Sequence, residues 1–335
     1  MSTTGFSSVF ARGFLTLGLA SVLNAMILYS ASAQIDTATY PNRPVRMVVP
    51  YVPGGGNDIL ARLLAEKAQV KWGQPVVVEN RAGAGGNIGT ESVFRAVPDG
   101  YTLLFGARVP LVINKSLFGK LNFDPDIFTP LGIMASGYSV LLINPKVPAN
   151  DLQEFIAYAR ANPGKLNYAS QGIGTSGHLS TELFNSMIGT KMAHIPYKGT
   201  GPAMIALLSG EIQVFFGELS SALPLVRTSK LRMLGIGGLK RHPDFPDMPA
   251  IAEALPRFQA PVWQGLVAPP GTPPAIANQW SDLINEVLRM PEVAKHLNDL
   301  GMTPAGGKPA DMDQVMKEDR ERWSAVIRFT GAKAE

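Results

Sequence analysis

Pro53-Gly54-Gly55-Gly56-Asn57-Asp58 and Arg81-Ala82-Gly83-Ala84-Gly85-Gly86-Asn87 are glycine-rich corners, each entered from a short β-branched run (Val45–Val49, Val76–Val78). Each also leads into a helix-patterned stretch. A glycine corner between a strand end and a helix start lets bare backbone N–H groups approach an anion closely. In an open α/β sheet that place lies at the carboxyl ends of the strands, where ligands bind. Two such corners after successive strands predict one anion-binding pocket, with a carboxylate as the expected ligand. Taken singly, either corner could merely let the chain turn sharply, and Asp58 could be no more than a helix cap.

Outward from the corners, Val45–Val49 is a continuous apolar run, which predicts a parallel strand covered on both faces. Asn57 or Asp58 is placed to cap the next helix, whose apolar face is Leu60, Leu63, Leu64 and Ala68. Gly73 ends that helix and Pro75 prevents its resumption. Val76–Glu79 is a second strand, a short helix follows over about 88–96, and Pro98-Asp99-Gly100 turns into a third strand, Tyr101–Phe105. This βαβαβ pattern predicts a parallel sheet with helices on both sides.

A second unit of the same kind begins near Tyr138. Strands are expected at Val140–Ile143, Leu166–Ser170, Met192–Ile195, Ile212–Phe216 and Leu231–Ile236. Between them lie a helix capped by Asn150, with Gln153 placed for a capping box, and helices over His178–Ile188 and Ala203–Leu208. Gln171–Gly177 is a third glycine-rich loop. Ser170, Gly172, Gly174, Thr175 and Ser176 within or beside it would offer hydroxyl and N–H groups to a second anionic group, unless the loop is a plain connection. After Trp263 there is one strand, Gly265–Ala268, then three helical stretches (about 275–289, 292–300 and 311–329). A tail with a single strand cannot build its own sheet, so it is expected to return to the first unit. The expected lobes are residues 40–139 plus 260–335, and 140–259.

Composition narrows the setting. Arg12 is the only charge in the first 33 residues, the apolar stretch Phe14–Tyr29 follows it, and Ala31-Ser32-Ala33 suits a signal peptidase. Cleavage near Ala33 is expected, with a membrane anchor as the alternative; removal leaves about 300 of 335 residues, room for two cores. The chain has no cysteine, which suits an exported bacterial periplasmic protein and excludes a lipid anchor on a cysteine. A net charge of +4 with scattered Lys and Arg carries no nucleic-acid footprint.

Signatures of catalysis are missing. Gly83-Ala84-Gly85-Gly86-Asn87-Ile88-Gly89 imitates a dinucleotide fingerprint but puts Ile88 where the third glycine belongs. There is no Walker A loop and no Gly-x-Ser-x-Gly elbow. Of the four histidines, only His178 has a helical partner, Glu182, suited to a metal, and no third ligand accompanies them. No metal and no cofactor are expected. The chain reads as a binder; an enzyme using the same cleft would have only His178, Asp58 and Glu218 to work with. Tyr197 and Lys198 are either site residues or, respectively, packing and solvent charge.

Tyr40-Pro41…Arg43-Pro44, Val49-Pro50…Pro53-Gly54-Gly55…Asp58, Val78-Glu79-Asn80-Arg81…Gly83-Ala84-Gly85-Gly86-Asn87-Ile88-Gly89 and Pro98-Asp99-Gly100-Tyr101-Thr102-Leu103-Leu104 form an ordered set. It continues through Pro163-Gly164-Lys165-Leu166-Asn167-Tyr168-Ala169-Ser170, His194-Ile195-Pro196-Tyr197-Lys198-Gly199, Ser221-Ala222-Leu223-Pro224 and Ala268-Pro269…Gly271-Thr272-Pro273. Across essentially the whole mature chain this resembles the Bug receptors, extracytoplasmic solute-binding proteins of the tripartite tricarboxylate transporter class. The resemblance implies an α/β fold of the type II periplasmic-binding-protein kind, with two doubly wound lobes joined by two hinge crossings, near 139 and 260.

The resemblance further implies that loops Val52–Asp58 and Ala82–Asn87 hold a ligand carboxylate through backbone groups and waters, with Pro53, Gly54, Gly55, Asn57, Asp58, Ala84, Gly85 and Asn87 in contact. Ser170, Gly174, Thr175 and His178 would face them from the second lobe, with Tyr197 nearby. Implied ligands are di- and tricarboxylates, acidic amino acids or aromatic acids. The implied partners are membrane transporter subunits or, for an orphan receptor, a periplasmic sensor domain, and the receptor is expected to be a monomer. Two places depart from the family pattern. Gly106-Ala107-Arg108-Val109-Pro110 replaces a Gly-Thr-Ser-like loop, and Gly217-Glu218-Leu219-Ser220 replaces Asp-Asn-Leu-Pro. Ala107 and Arg108 are therefore read as ligand contacts, with Arg108 forking onto a carboxylate. Glu218 would either hold Arg108 or meet a donor on the ligand; otherwise both side chains point to solvent.

Overall fold

The run Val45–Val49 is strand β1, and Val45, Met47, Val48 and Val49 are fully buried, as a strand covered on both faces requires. In the computed structural model, which describes residues 39–334, nine more strands follow. They are β2 (Val76–Asn80), β3 (Thr102–Ala107), β4 (Thr129–Ile143), β5 (Asn167–Ser170), β6 (Ala193–Pro196), β7 (Val214–Glu218), β8 (Arg232–Ile236), β9 (Pro261–Ala268) and β10 (Thr303–Gly306). The longer helices are α1 (Gly56–Trp72), α2 (Asn87–Phe94), α3 (Leu152–Ala161), α4 (Ser176–Ile188), α5 (Thr200–Ser209), α6 (Leu219–Arg227), α7 (Pro274–Leu288), α8 (Pro291–Asp299) and α9 (Pro309–Thr330). The leader read over residues 1–33, with its cleavage near Ala33, lies outside the described residues.

The strand order is β2-β1-β3-β9-β4-β7-β5-β6, with β8 and β10 each paired to β4. Strands β1, β2 and β3 run parallel, as do β5, β6 and β7. The fold is thus α/β, with two parallel sets linked through antiparallel β9 and β4. Strand β4 joins them physically. Its first ten residues pair with β9 and β10, and the rest, from Ser139, pair with β7 and β8. At the changeover the Ser139 N–H donates to the Ala260 carbonyl, and the Gly237 N–H donates to the Ser139 carbonyl, each within 2.9 Å.

Among the described residues the core includes three apolar clusters. One gathers Phe155, Phe184, Phe216 and Phe258 beneath β4 and β5, another packs Phe215 and Met233 against α5 and α6. The third joins Val48, Leu104, Trp263 and Trp323 and also takes in Leu179 of α4. That third cluster, together with the packing of α9 against α4, ties both parallel sets into one unit over Pro41–Glu335.

Four expectations are corrected. The cap of α1 is Gly55, not Asn57 or Asp58, because the glycines enter the helix early and leave Asp58 inside its first turn. Helix α3 is capped by Asp151, whose Oδ1 accepts from the Glu154 N–H at 2.8 Å, rather than by Asn150 with Gln153. Burial of Leu152 makes it the first helical residue, so the cap falls one position later. Strand β4 begins at Thr129 instead of Val140, its early part disguised by Pro130, Gly132 and Gly137. The tail holds two strands, not one; β10 carries Pro304 and Gly306 and pairs only with β4, an edge position that tolerates both.

Close approach of α2 to β1 depends on Gly89, where an added Cβ would sit 2.7 Å from the Arg81 carbonyl and 3.0 Å from Pro50 Cα. Both obstacles are backbone. Gly89→Ala should therefore cost about 1–3 kcal/mol of unfolding free energy, read from urea denaturation.

Candidate ligand-binding cleft

Strands β1 and β2 are neighbours with Val49 opposite Asn80, so the two glycine corners lie side by side. Asn80 fastens the first corner: its Nδ2 donates to the Tyr51 carbonyl at 3.1 Å and to Asp58 Oδ1 at 3.0 Å. The other Asp58 oxygen accepts from the Gly54 N–H at 2.9 Å and from Arg62 Nε at 3.1 Å. Burial works to raise the Asp58 pKa, but these donors outweigh it and hold the carboxyl below its ordinary value. Asp58 is thus a brace rather than a cap, and the Gly54 N–H is engaged by it. Asn57 Oδ1, by contrast, is buried without a partner.

In the second corner Asn114 Nδ2 donates to the Gly85 carbonyl at 3.1 Å and to Asn87 Oδ1 at 2.6 Å. Ala84 holds φ 47°, a left-handed conformation that costs a non-glycine residue about 1–2 kcal/mol. Such strain concentrates where a backbone must present its groups in one direction.

Strands β3 and β9 put Ala107 opposite Gln264, and a Cβ on Gly56 would lie 3.3 Å from Gln264 Nε2, so this amide touches the first corner. Gln264 is buried and its Oε1 has no partner. Next to Ala107, Arg108 is 1% exposed. Its Cζ lies 4.6 Å from the Trp323 ring, and its Nη2 donates to Ser176 Oγ of α4 at 2.8 Å. Nε and Nη1 are buried without an acceptor, and Arg108 forms no ion pair among the described residues. Asp319, the nearby acid, is engaged by Trp263 Nε1 at 2.8 Å and by Arg322. Burial lowers the Arg108 pKa to about 10, with Asp319 opposing. The expectation that Arg108 points to solvent is excluded, and so is a pairing with Glu218. The Tyr51 hydroxyl lies within electrostatic reach of both Arg108 and Glu218, and burial raises its pKa.

The loop before α4 is satisfied internally. Ser170 Oγ meets His194 Nε2 at 2.7 Å and the Gly172 carbonyl at 3.0 Å. Thr175 Oγ1 donates to the Gly172 carbonyl at 2.7 Å, and the Gly174 N–H donates to His178 Nδ1 at 3.0 Å. Hydroxyls expected to meet a ligand are thereby held within the loop. The rings of His178 and His194 stack at 4.1 Å, and Tyr168 stacks on His194 at 4.8 Å. Burial lowers both histidines to about 4. Gly174, at φ +77°, packs so tightly on Leu117 that a Cβ would lie 1.9 Å from it. Tyr197 turns its hydroxyl to Glu211 at 2.9 Å.

Sequence reasoning overlooked Tyr51, Asn80, Asn114, His194 and Gln264 as parts of this arrangement, and it named Ser176 only as a hydroxyl for the ligand, not as the anchor of Arg108. Gln264 carried a signal: a lone amide between Trp263 and Gly265-Leu266-Val267 in a buried strand. The others are joined only by long-range contacts. Among the described residues no group of three or more His, Asp or Glu is arranged to hold a metal, and no helix is long and apolar enough to cross a membrane.

The sequence profile described as "Tripartite tricarboxylate transporter family receptor" matches residues 60–332. BugT of Bordetella pertussis is 38% identical over 305 residues, covering 90% of this chain and 94% of BugT. An adipate-bound protein of R. palustris shares 33% identity and superposes with a TM-score of 0.80, over 87% of this chain and 98% of that one. MatC from Rhodopseudomonas palustris, solved with bound malate, shares 34% identity with a TM-score of 0.77, over 86% and 100%.

The stacked histidines set a pH response. Their folded pKa of about 4 lies below the 6.5 of a free imidazole, so the unfolded chain takes up protons first as pH falls. Their contribution to stability is intact above 6.5 and declines as pH falls from there towards about 4. The melting temperature should drop across that window. His178→Asn keeps an acceptor for the Gly174 N–H and removes one titration, and should flatten the drop.

Proposed function

The chain belongs to the tripartite tricarboxylate transporter receptor family, and on that premise we propose that it captures a small carboxylate in a cleft between two lobes and delivers it to membrane transporter subunits. Family membership makes it a periplasmic solute-binding receptor rather than an enzyme. Residues 40–139 with 260–335 form the proposed first lobe and 140–259 the second, hinged where Ser139, Gly237 and Ala260 exchange hydrogen bonds. Opening there admits the ligand, and closing removes it from water.

One observation carries the ligand class: a fully buried guanidinium at Arg108 with two nitrogens lacking any acceptor. An uncompensated buried cation is costly, and an anion placed beside it recovers that cost. In the proposed arrangement one ligand carboxylate shares Arg108 with Ser176. The corners around Pro53, Gly54, Gly55 and Asn57, and around Ala84, Gly85 and Asn87, shape the seat beside Ala107. Asp58 braces the first corner, while Ser170, Gly174, Thr175 and His178 stiffen the facing wall; Tyr197 borders it. The adipate and malate held by the two R. palustris proteins are small carboxylates of the proposed kind.

Calorimetry with a carboxylate panel tests this. Arg108→Ala should weaken the best ligand by about tenfold to a hundredfold, and Arg108→Lys should recover only part, since an ammonium lacks the planar fork. Unchanged affinity in Arg108→Ala would remove Arg108 from the seat. A receptor should also show a melting temperature raised by the ligand and leave that ligand unconsumed.

A further inference from the structure

We propose that Glu218 is the specificity-determining residue at the far end of the ligand, accepting a hydrogen bond from a hydroxyl or ammonium group and turning away a second ionised carboxylate. The inference rests on the carboxylate reading above and narrows it.

Glu218 ends β7 directly opposite Ser139, the residue at which β4 changes partners. It sits in the N-cap position of α6, yet its side chain makes no capping bond. Among the described residues its carboxylate has neither a hydrogen bond nor an ion pair. The one side-chain hydrogen bond that reaches this residue among the described residues goes to its backbone carbonyl, which accepts from Ser221 Oγ at 2.9 Å. Glu218 keeps exposed surface although protein surrounds it deeply enough for burial to raise its pKa. Opposite Ser139, Glu218 stands at the changeover of β4, where the two proposed lobes meet.

Tyr51 belongs to the opposite proposed lobe. It ends the first-lobe segment that leads into the glycine corner, and it feels the charges of Arg108 and Glu218 together. Phe216, two residues before Glu218, puts its carbonyl 2.7 Å from where a Cβ on Gly177 would sit, and Gly177 adjoins Ser176, so the end of β7 lies beside the anchor of Arg108 while Glu218 makes no pair with the guanidinium. Ser176, rather than Glu218, holds the guanidinium. A ligand bridging them must bring an acceptor to Arg108 and a donor to Glu218. An ionised carboxylate only accepts hydrogen bonds, so a dianion would set like charges together at Glu218 and leave both unpaired. Rejection by an unpaired charge is an efficient way to discriminate.

Matched ligands of equal length supply the test: succinate against γ-hydroxybutyrate and γ-aminobutyrate, and adipate against ω-hydroxyhexanoate and ω-aminohexanoate. Calorimetry on the mature protein should find the donor-ended acid of the fitting length bound tighter than its dicarboxylate by about tenfold or more. Glu218→Gln keeps the shape and removes the charge, and should cancel or reverse that order. Glu218→Ala, which removes the acceptor, should cancel it as well. An unliganded melting temperature equal to that of the unaltered protein certifies each variant as folded. Tighter binding of the dicarboxylate by the unaltered protein, or an order that survives both substitutions, overturns the role of Glu218 and leaves the carboxylate reading standing. Binding of no carboxylate in the panel at millimolar concentration overturns both.

Discussion

A positive charge sealed away from water with no carboxylate paired to it is the constraint around which this receptor is built. The Arg108 guanidinium has Trp323 against its face and Ser176 on one nitrogen, while Asp319 is committed to Trp263 and Arg322. Desolvation is strong enough to lower even an arginine. A site of this kind has a preference for anions before any ligand arrives. Because Ser176 belongs to α4 and Arg108 follows β3, the same contact also joins the two parallel sets of strands. The buried charge and the tie between the two parallel sets are thus one interaction.

The facing wall works differently. Its polar groups are consumed within the loop: Ser170 by His194 and Gly172, Thr175 by Gly172, Gly174 by His178. Imidazoles buried and stacked as neutral rings act here as spacers and acceptors, not as acids or bases. The loop is consequently rigid before the ligand binds, which lowers the ordering cost of binding. At the first glycine corner Asp58 plays the equivalent part, drawing donors from Gly54, Arg62 and Asn80 into one brace. In the proposed cleft both walls spend their polar side chains on shape, and the groups left with spare hydrogen-bonding capacity are Arg108, Glu218, Asn57 and Gln264.

Much of the fold was legible because local pattern and tertiary role agree. Val45–Val49 is apolar throughout and buried throughout; Gly73 and Gly189 end α1 and α4 in left-handed conformations. The corners were legible for the same reason, since a glycine cluster between a strand and a helix has few other uses. What escaped notice obeys no local rule. The first part of β4 carries Pro130 and Gly132 and is a strand only because β9 and β10 supply partners. Asp58 looked like a cap, and becomes a brace because Asn80 reaches across from the neighbouring strand.

The amino-acid order alone determined the alternation of strands and helices, the glycine corners and the family pattern, since each depends on residues within a few positions of one another. It also exposed Arg108 and Glu218 as departures, without saying where they go. Only the tertiary structure decided that Arg108 is buried, that it bonds Ser176 sixty-eight residues away, and that Glu218 does not neutralise it. The reason is physical: burial and electrostatic pairing depend on distance through space, and chain separation places no bound on that distance.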